Sequence, residues 1–219
     1  MIIIERLASG RVSLILNDSV HTQDDGVWLT RPTAVAYREQ LIGALADEHH
    51  ATAHAILDLC VHTLSPARHG ATLVWFPGGA ADCHTAFLDT SLEITPPALS
   101  ASDDSHRATI AHALGQMDRA CVIDSGGQLI RLNVTLEHAE EYSAHTVPGG
   151  TRHNSAGRYS ASQPRAVVFV VSADGPVTVF SEGQVVAEID GSTQRDTPER
   201  APGVSQRRKS WQWPLRRHR

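Results

Sequence analysis

Aromatic residues make up only 5% of this 219-residue chain, and cysteine occurs three times, at Cys60, Cys83 and Cys121. The odd count and the lack of any Cys-x-x-Cys spacing argue against a disulfide framework or a zinc ribbon. Cys60 and Cys121 stand in apolar runs and read as small core residues. No apolar run reaches the ~18 residues of a membrane span. The opening "MIIIERLASG" is too short and too soon charged for a signal peptide, so the chain reads as soluble and cytoplasmic. An excess of positive charge is missing as well. The formal net charge is -5, with a pI near 6.2, which excludes a basic nucleic-acid binder for the protein as a whole. Neither a Walker phosphate loop nor a Rossmann glycine fingerprint is present.

What is present is a 41% hydrophobic composition, enough for a sizeable core. Residues 1–48 read as a small N-terminal α/β segment, the remnant of a sensor region. "IIIERLASGRVSLILND" suggests two short strands, "GVWLT" another, and Thr30-Arg31-Pro32 is a helix-start signal. Residues 49–190 alternate helix and strand patterns. Ile56, Leu57, Leu59, Cys60, Val61 and Leu64 form an apolar stripe at helical period, ended by Ser65-Pro66. "GATLVWF" reads as a strand buried on both faces, "HRATIAHALGQM" as a helix, and "RACVIDSGGQLIRLNV" as two strands about a Ser-Gly-Gly turn. "AVVFVVSADGPVTVFSEGQVV" reads as a further hairpin. The pattern predicts an α/β fold with a mixed central β-sheet flanked by helices. Residues 191–219 are polar, Pro-bearing and basic, the composition of a disordered tail. Within it, "RRKSWQWPLRRHR" interleaves two tryptophans with cations and is a candidate contact for nucleic acid or an acidic partner.

Three stretches carry candidate chemistry. In "GGTRHNSAGR", Gly149 and Gly150 permit close backbone approach. Thr151, Arg152 and His153 supply donors suited to phosphate, and Asn154 or Ser155 could cap a helix aimed at the same anion. By composition the stretch is equally well a solvated polar loop. In "QMDRACVID", Asp118 stands where a helix gives way to a strand and could hold a divalent ion; an ordinary loop aspartate fits as well. In "VVSADGPV", Ser172 and Asp174 follow a buried strand, and taken alone a hairpin turn, for which Ala-Asp-Gly-Pro is well suited, is the better account of them. "HHATAHAILD" places His50, His54 and Asp58 on one helix face at metal-ligand spacing, which a solvated face also explains.

The order of these pieces resembles the diadenylate cyclase (DAC) domain, the nucleotide-binding family at the N terminus of DisA. That family carries Asp-Gly-Ala, then Gly-Thr-Arg-His-Arg, then Val-Ser-Glu-Glu. Here the corresponding stretches are Asp118-Arg119-Ala120, Gly150-Thr151-Arg152-His153-Asn154 and Val171-Ser172-Ala173-Asp174. "ARHGATLVWF" resembles the family's entry into its first core strand, and the likeness runs from about residue 51 to 189. It implies one ATP per domain, a face-to-face homodimer, and condensation of two ATP into cyclic di-AMP with release of pyrophosphate, assisted by Mg²⁺, Mn²⁺ or Co²⁺. By the same carry-over Asp118, Arg152 and His153 are catalytic. Arg119, Ala120, Gly150, Thr151, Asn154, Ser155 and Ser172 contact the nucleotide, and Asp118, His153 and Asp174 bind the metal. Three departures stand out: arginine for glycine at 119, asparagine for arginine at 154, and Ala173-Asp174 for the glutamate pair. They open a second reading, a nucleotide-binding sensor that has lost turnover.

Overall fold

The computed structural model describes residues 2–6, 12–16, 19–24, 27–32, 41, 45–67, 70–79, 87–173 and 176–189. The basic tail, Cys83 and Asp174 lie outside them.

The N-terminal strands β1 (Ile3–Arg6), β2 (Val12–Ile15), β3 (Ser19–Asp24) and β4 (Val27–Pro32) form an antiparallel meander in that order. The two strands expected from "IIIERLASGRVSLILND" are β1 and β2. Thr30-Arg31-Pro32 does not begin a helix. It ends β4, where Pro32 occupies the last position, a place proline tolerates because little further pairing needs its missing N–H. β3 was hidden by its polar sequence, Ser-Val-His-Thr-Gln-Asp. Most of the helix anticipated after Pro32 falls outside the described residues.

The main body is a seven-stranded sheet in the order β11-β10-β9-β5-β7-β8-β6, and only β5 and β7 are parallel neighbours. In chain order, α1 (His50–Asp58) leads into a π-helical stretch, Leu59–Leu64, and then β5 (Ala71–Trp75) and the two-residue β6 (Leu88–Asp89). Next come α2 (Arg107–Gly115), β7 (Ala120–Ile123), β8 (Leu129–Leu136) and α3 (Thr151–Ser162). The chain closes with β9 (Val167–Val171), β10 (Val177–Ser181) and β11 (Gln184–Ile189). This is the mixed α/β sheet flanked by helices that the sequence pattern predicts. Among the described residues no helix is long and apolar enough to cross a membrane.

The central strands β5, β7 and β9 are apolar except for Thr72 because both faces are covered. Leu73, Trp75, Phe169 and Val171 join the core beneath α1 and α2, while Val74, Val168 and Val170 join the core beneath α3 with Ala156 and Tyr159. The broad stripe of Leu59, Cys60 and Val61 explains the widened helical turn: three consecutive residues must be buried, and the i→i+5 bond from Ser65 N to Cys60 O accommodates them. Tight turns follow local chemistry. Glu182 and Gly183, with φ of 50° and 77°, make the two-residue loop of the β10–β11 hairpin, so the stretch expected to form one hairpin forms two, β9–β10 and β10–β11.

Phe169 is fully buried at the middle of β9, between β5 and β10. Phe169→Ala is expected to cost ~3–5 kcal/mol of stability, read from denaturant unfolding. A loss below about 1 kcal/mol would show that the core is not centred on this strand.

Candidate functional site

Strand register brings the three candidate stretches to one end of the sheet. Ala71 of β5 faces Val171 of β9, and Thr72 faces both Val170 of β9 and Ala120 of β7. The amino ends of β5 and β7 therefore meet the carboxyl end of β9. Gly70, Asp118-Arg119 and Ser172-Ala173 lie just beyond those ends. The first turn of α3 borders the same place: Asp118, Gly150, Thr151, Arg152, His153 and Ser172 all line one cleft of ≈ 460 Å³. A smaller adjoining cleft of ≈ 140 Å³ shares Asp118, Thr151 and Arg152 and adds Arg119, Ala120 and Ser155.

The helix supplies an anion-seeking terminus. α3 begins at Thr151, and its N-cap is Gly150 in extended conformation, with no side-chain cap. Asn154 and Ser155 are thus inside the helix, not capping it. The first intrahelical bond runs from Asn154 N to Gly150 O, so the N–H groups of Thr151, Arg152 and His153 have no partner within the helix. With no acidic residue in that turn, the positive end of the helix dipole is uncompensated. Asn154 instead braces the entry loop. Its Oδ1 accepts from Val147 N at 3.1 Å and its Nδ2 donates to Gly150 O at 3.1 Å, and it borders neither cleft. Arg158, further along α3, donates from Nε to the His145 carbonyl at 2.9 Å and likewise lies outside both clefts.

Arg152 links the pieces. Its Nη2 donates to Asp118 Oδ1 at 3.0 Å. Its guanidinium lies against Gly70, so closely that a Cβ at that position would overlap it. The Asp118 side chain is almost fully exposed, 97%, and Arg152 about one third. Such a pair contributes only about 0–1 kcal/mol, so an incoming phosphate can take the guanidinium from the carboxylate. His153 turns the other way. Its Nε2 is 3.3 Å from Thr178 Oγ1, its ring meets Phe180 edge-on at 6.1 Å, and Gly149 leaves room for it. Partial burial lowers its pKa below the ordinary 6.5, against a smaller opposing pull from Glu188, which favours the neutral ring at pH 7. Arg119 borders the smaller cleft with Nη1 buried and without a hydrogen-bond partner among the described residues. Its charge contributes to the lowered pKa of Asp89, behind the hydrogen bonds from Ser91.

Ser172 borders the larger cleft, whereas Asp174 lies outside the described residues. Among the described residues, no three His, Cys, Asp or Glu side chains form a ready-made metal cage. Of the residues lining the larger cleft, Asp118 offers the carboxylate oxygen that an ion of the Mg²⁺ type takes alongside phosphate oxygens and water, whereas the His153 imidazole suits a softer divalent ion. The His50–His54–Asp58 face is not such a cage. Asp58 lies 3.6 Å from His54, 3.8 Å from His62 and 3.5 Å from Arg107, while His50 bonds the Leu45 carbonyl. Thr72 and Thr178 are not among the expected site residues; Thr72 could have been found as the single hydroxyl in an otherwise apolar strand, whereas Thr178 shares β10 with Ser181 and carries no such signal.

The two entry glycines separate conformational need from open space. Gly149 has φ of 116°, and a Cβ there would come 2.6 Å from His153 Cγ; around Gly150 a Cβ would meet nothing within 4 Å. Gly149→Ala is expected to destabilise the protein by at least about 1 kcal/mol, and Gly150→Ala to stay within about 0.5 kcal/mol. Equal denaturant midpoints for the two variants would contradict this loop geometry.

The family model described as the DisA bacterial checkpoint controller nucleotide-binding domain (DAC) matches residues 59–185. Among solved structures, a hypothetical membrane spanning protein from Bacillus cereus is similar at 18% identity, with a TM-score of 0.45, over 65% of this chain and 72% of that one. A double cysteine mutant of DacA from Staphylococcus aureus is similar at 17% identity, with a TM-score of 0.47, over 66% of this chain and 90% of that one. No curated protein matches. The family match covers more than half of the 219 residues and takes in the Asp118 stretch, the α3 terminus and Ser172, so the chain belongs to the DAC nucleotide-binding family.

Proposed function

We propose that this protein is a diadenylate cyclase, which condenses two ATP into cyclic di-AMP across a face-to-face homodimer in the cytoplasm. The observation that carries the reading is the Arg152–Asp118 pair at the open terminus of α3, which unites the two most chemically loaded stretches on one cleft. Phosphate oxygens would take the free N–H groups of Thr151 and its neighbours, with Gly150 allowing their approach and Arg152 as the cation. Ser172 lines the same cleft. Ala120, Ser155 and Arg119 on the smaller cleft would contact the nucleoside.

Once Arg152 turns to phosphate, Asp118 is released beside the position of the 3′-hydroxyl. The oxygen of that hydroxyl attacks the α-phosphate of the ATP on the partner domain and pyrophosphate leaves. The same exchange in the other direction closes the ring. A bound Mg²⁺, Mn²⁺ or Co²⁺ would neutralise charge on the phosphate oxygens and ease loss of the hydroxyl proton. Asp118 and His153 would be its ligands on this chain, with Asp174 as a third. Asn154 acts here by holding the loop in place, not by touching ATP.

A second reading has its own observation. The buried, unpartnered Nη1 of Arg119 stands where the family has glycine, at the smaller cleft. An arginine there can hold a nucleotide without allowing turnover, which would make the domain a sensor. Incubation with ATP and Mn²⁺ or Mg²⁺, followed by mass spectrometry, is expected to yield cyclic di-AMP, and Asp118→Asn to reduce it by about 10²-fold or more. A parent that binds ATP but makes no product, while Arg119→Gly gains cyclisation, would establish the sensor instead.

A further inference from the structure

His153 reaches across the sheet end from the first turn of α3 to β10, where Thr178 is 1% exposed among Val177, Val179 and Phe180. Thr178 lies directly opposite Glu188 of β11 in the strand register, and its Oγ1 donates to Glu188 Oε1 at 3.4 Å. A hydroxyl has one proton to give, and a carboxylate only accepts. With that proton directed to Glu188, Thr178 Oγ1 can only accept from the His153 Nε2 that lies 3.3 Å away. The proton of a neutral imidazole is then on Nε2, and Nδ1 carries the lone pair. Nδ1 lies on the ring edge that borders Gly149: a Cβ on that glycine would fall 2.9 Å from it. No hydrogen bond engages Nδ1 among the described residues.

We infer that Glu188 and Thr178 form a positioning relay that fixes His153, a residue lining the larger cleft, as the Nε2–H tautomer and leaves Nδ1, on the ring edge beside Gly149, as an acceptor. This inference rests on the proposed nucleotide site and goes further, because it decides between two roles that the residue type leaves open. A neutral His153 held in this way does not donate to phosphate. It offers a lone pair to a divalent ion or to a proton. Neither Thr178 nor Glu188 lines either cleft, so both act through the imidazole. Gly149 belongs to the same device, since any side chain there would press on the ring at that edge.

The test is a long-range ¹H–¹⁵N correlation spectrum of the imidazoles at pH 7.5, with His153 assigned by difference against His153→Gln. The native protein is expected to show His153 with a protonated, pyrrole-like Nε2 and a pyridine-like Nδ1. Thr178→Val should turn this into a mixture of tautomers, and Thr178→Ser, which keeps the hydroxyl, should restore it. Glu188→Gln should weaken the preference while leaving the fold intact, as checked by thermal unfolding. In steady-state cyclisation assays, Thr178→Val should lower kcat about 10- to 100-fold, the range for groups that orient a ligating histidine, with KM for ATP little changed. A native spectrum with the proton on Nδ1, or an unchanged Nε2–H tautomer in a folded Thr178→Val protein, overturns the relay. The spectrum needs no turnover. A protein with the expected tautomer and no ATP binding would therefore overturn the nucleotide reading while the relay stands.

Discussion

The antiparallel pairing of β5 with β9, buried on both faces, is the constraint from which the site follows. Its register sets Ala71 against Val171, and the parallel pairing of β5 with β7 sets Thr72 against Ala120. A one-residue slip in a strand exchanges its two faces. Here that would move Phe169 from the core beneath α1 and α2 to the core beneath α3, so packing on both faces holds the register. Because the register is held, Gly70, Asp118 and Ser172 must emerge together. The site is at the amino ends of the one parallel pair, not the carboxyl ends where parallel sheets usually place ligands. The antiparallel β9, which ends there, and α3, which starts there, bring the candidate residues to this end.

Local charge then completes what topology begins. The α3 terminus has free N–H groups and no acidic residue in its first turn, so it lacks an anion. Asp118 meets part of that need through Arg152, at an exposed position where the exchange for phosphate costs little. The two side chains after Thr151 point to different tasks. Arg152 lies over Gly70 toward β5 and β7, and His153 lies over Gly149 toward β10. Both depend on a glycine, one for space alone and the other for space and a backbone angle of 116°.

Much of this was legible in the residues. "GATLVWF" and "AVVFVV" announce doubly covered strands by their unbroken apolar runs, and β5 and β9 are those strands. Asp118 at a helix-to-strand junction and Ser172 after a buried strand needed only chain order to be placed. Other features depended on tertiary context that local sequence does not carry. Thr30-Arg31-Pro32 has the letters of a helix start, yet strand pairing with β3 takes it. Asn154 looks like a cap or a ligand, but Gly150 already occupies the cap position, and the Asn154 amide is spent on Val147 and Gly150. Thr178 has no distinguishing neighbour in sequence; only the crossing of α3 over β10 brings His153 to it.

The central claim is that the α3 terminus, Arg152 and Asp118 form a single nucleotide site. A crystal structure with a non-hydrolysable, 3′-deoxy ATP analogue tests it most directly. Phosphate oxygens are expected on the N–H groups of Thr151 and Arg152, with the Arg152 guanidinium turned from Asp118 to phosphate and the sugar beside Asp118. An analogue bound elsewhere, or bound with the Arg152–Asp118 pair still closed, would contradict it.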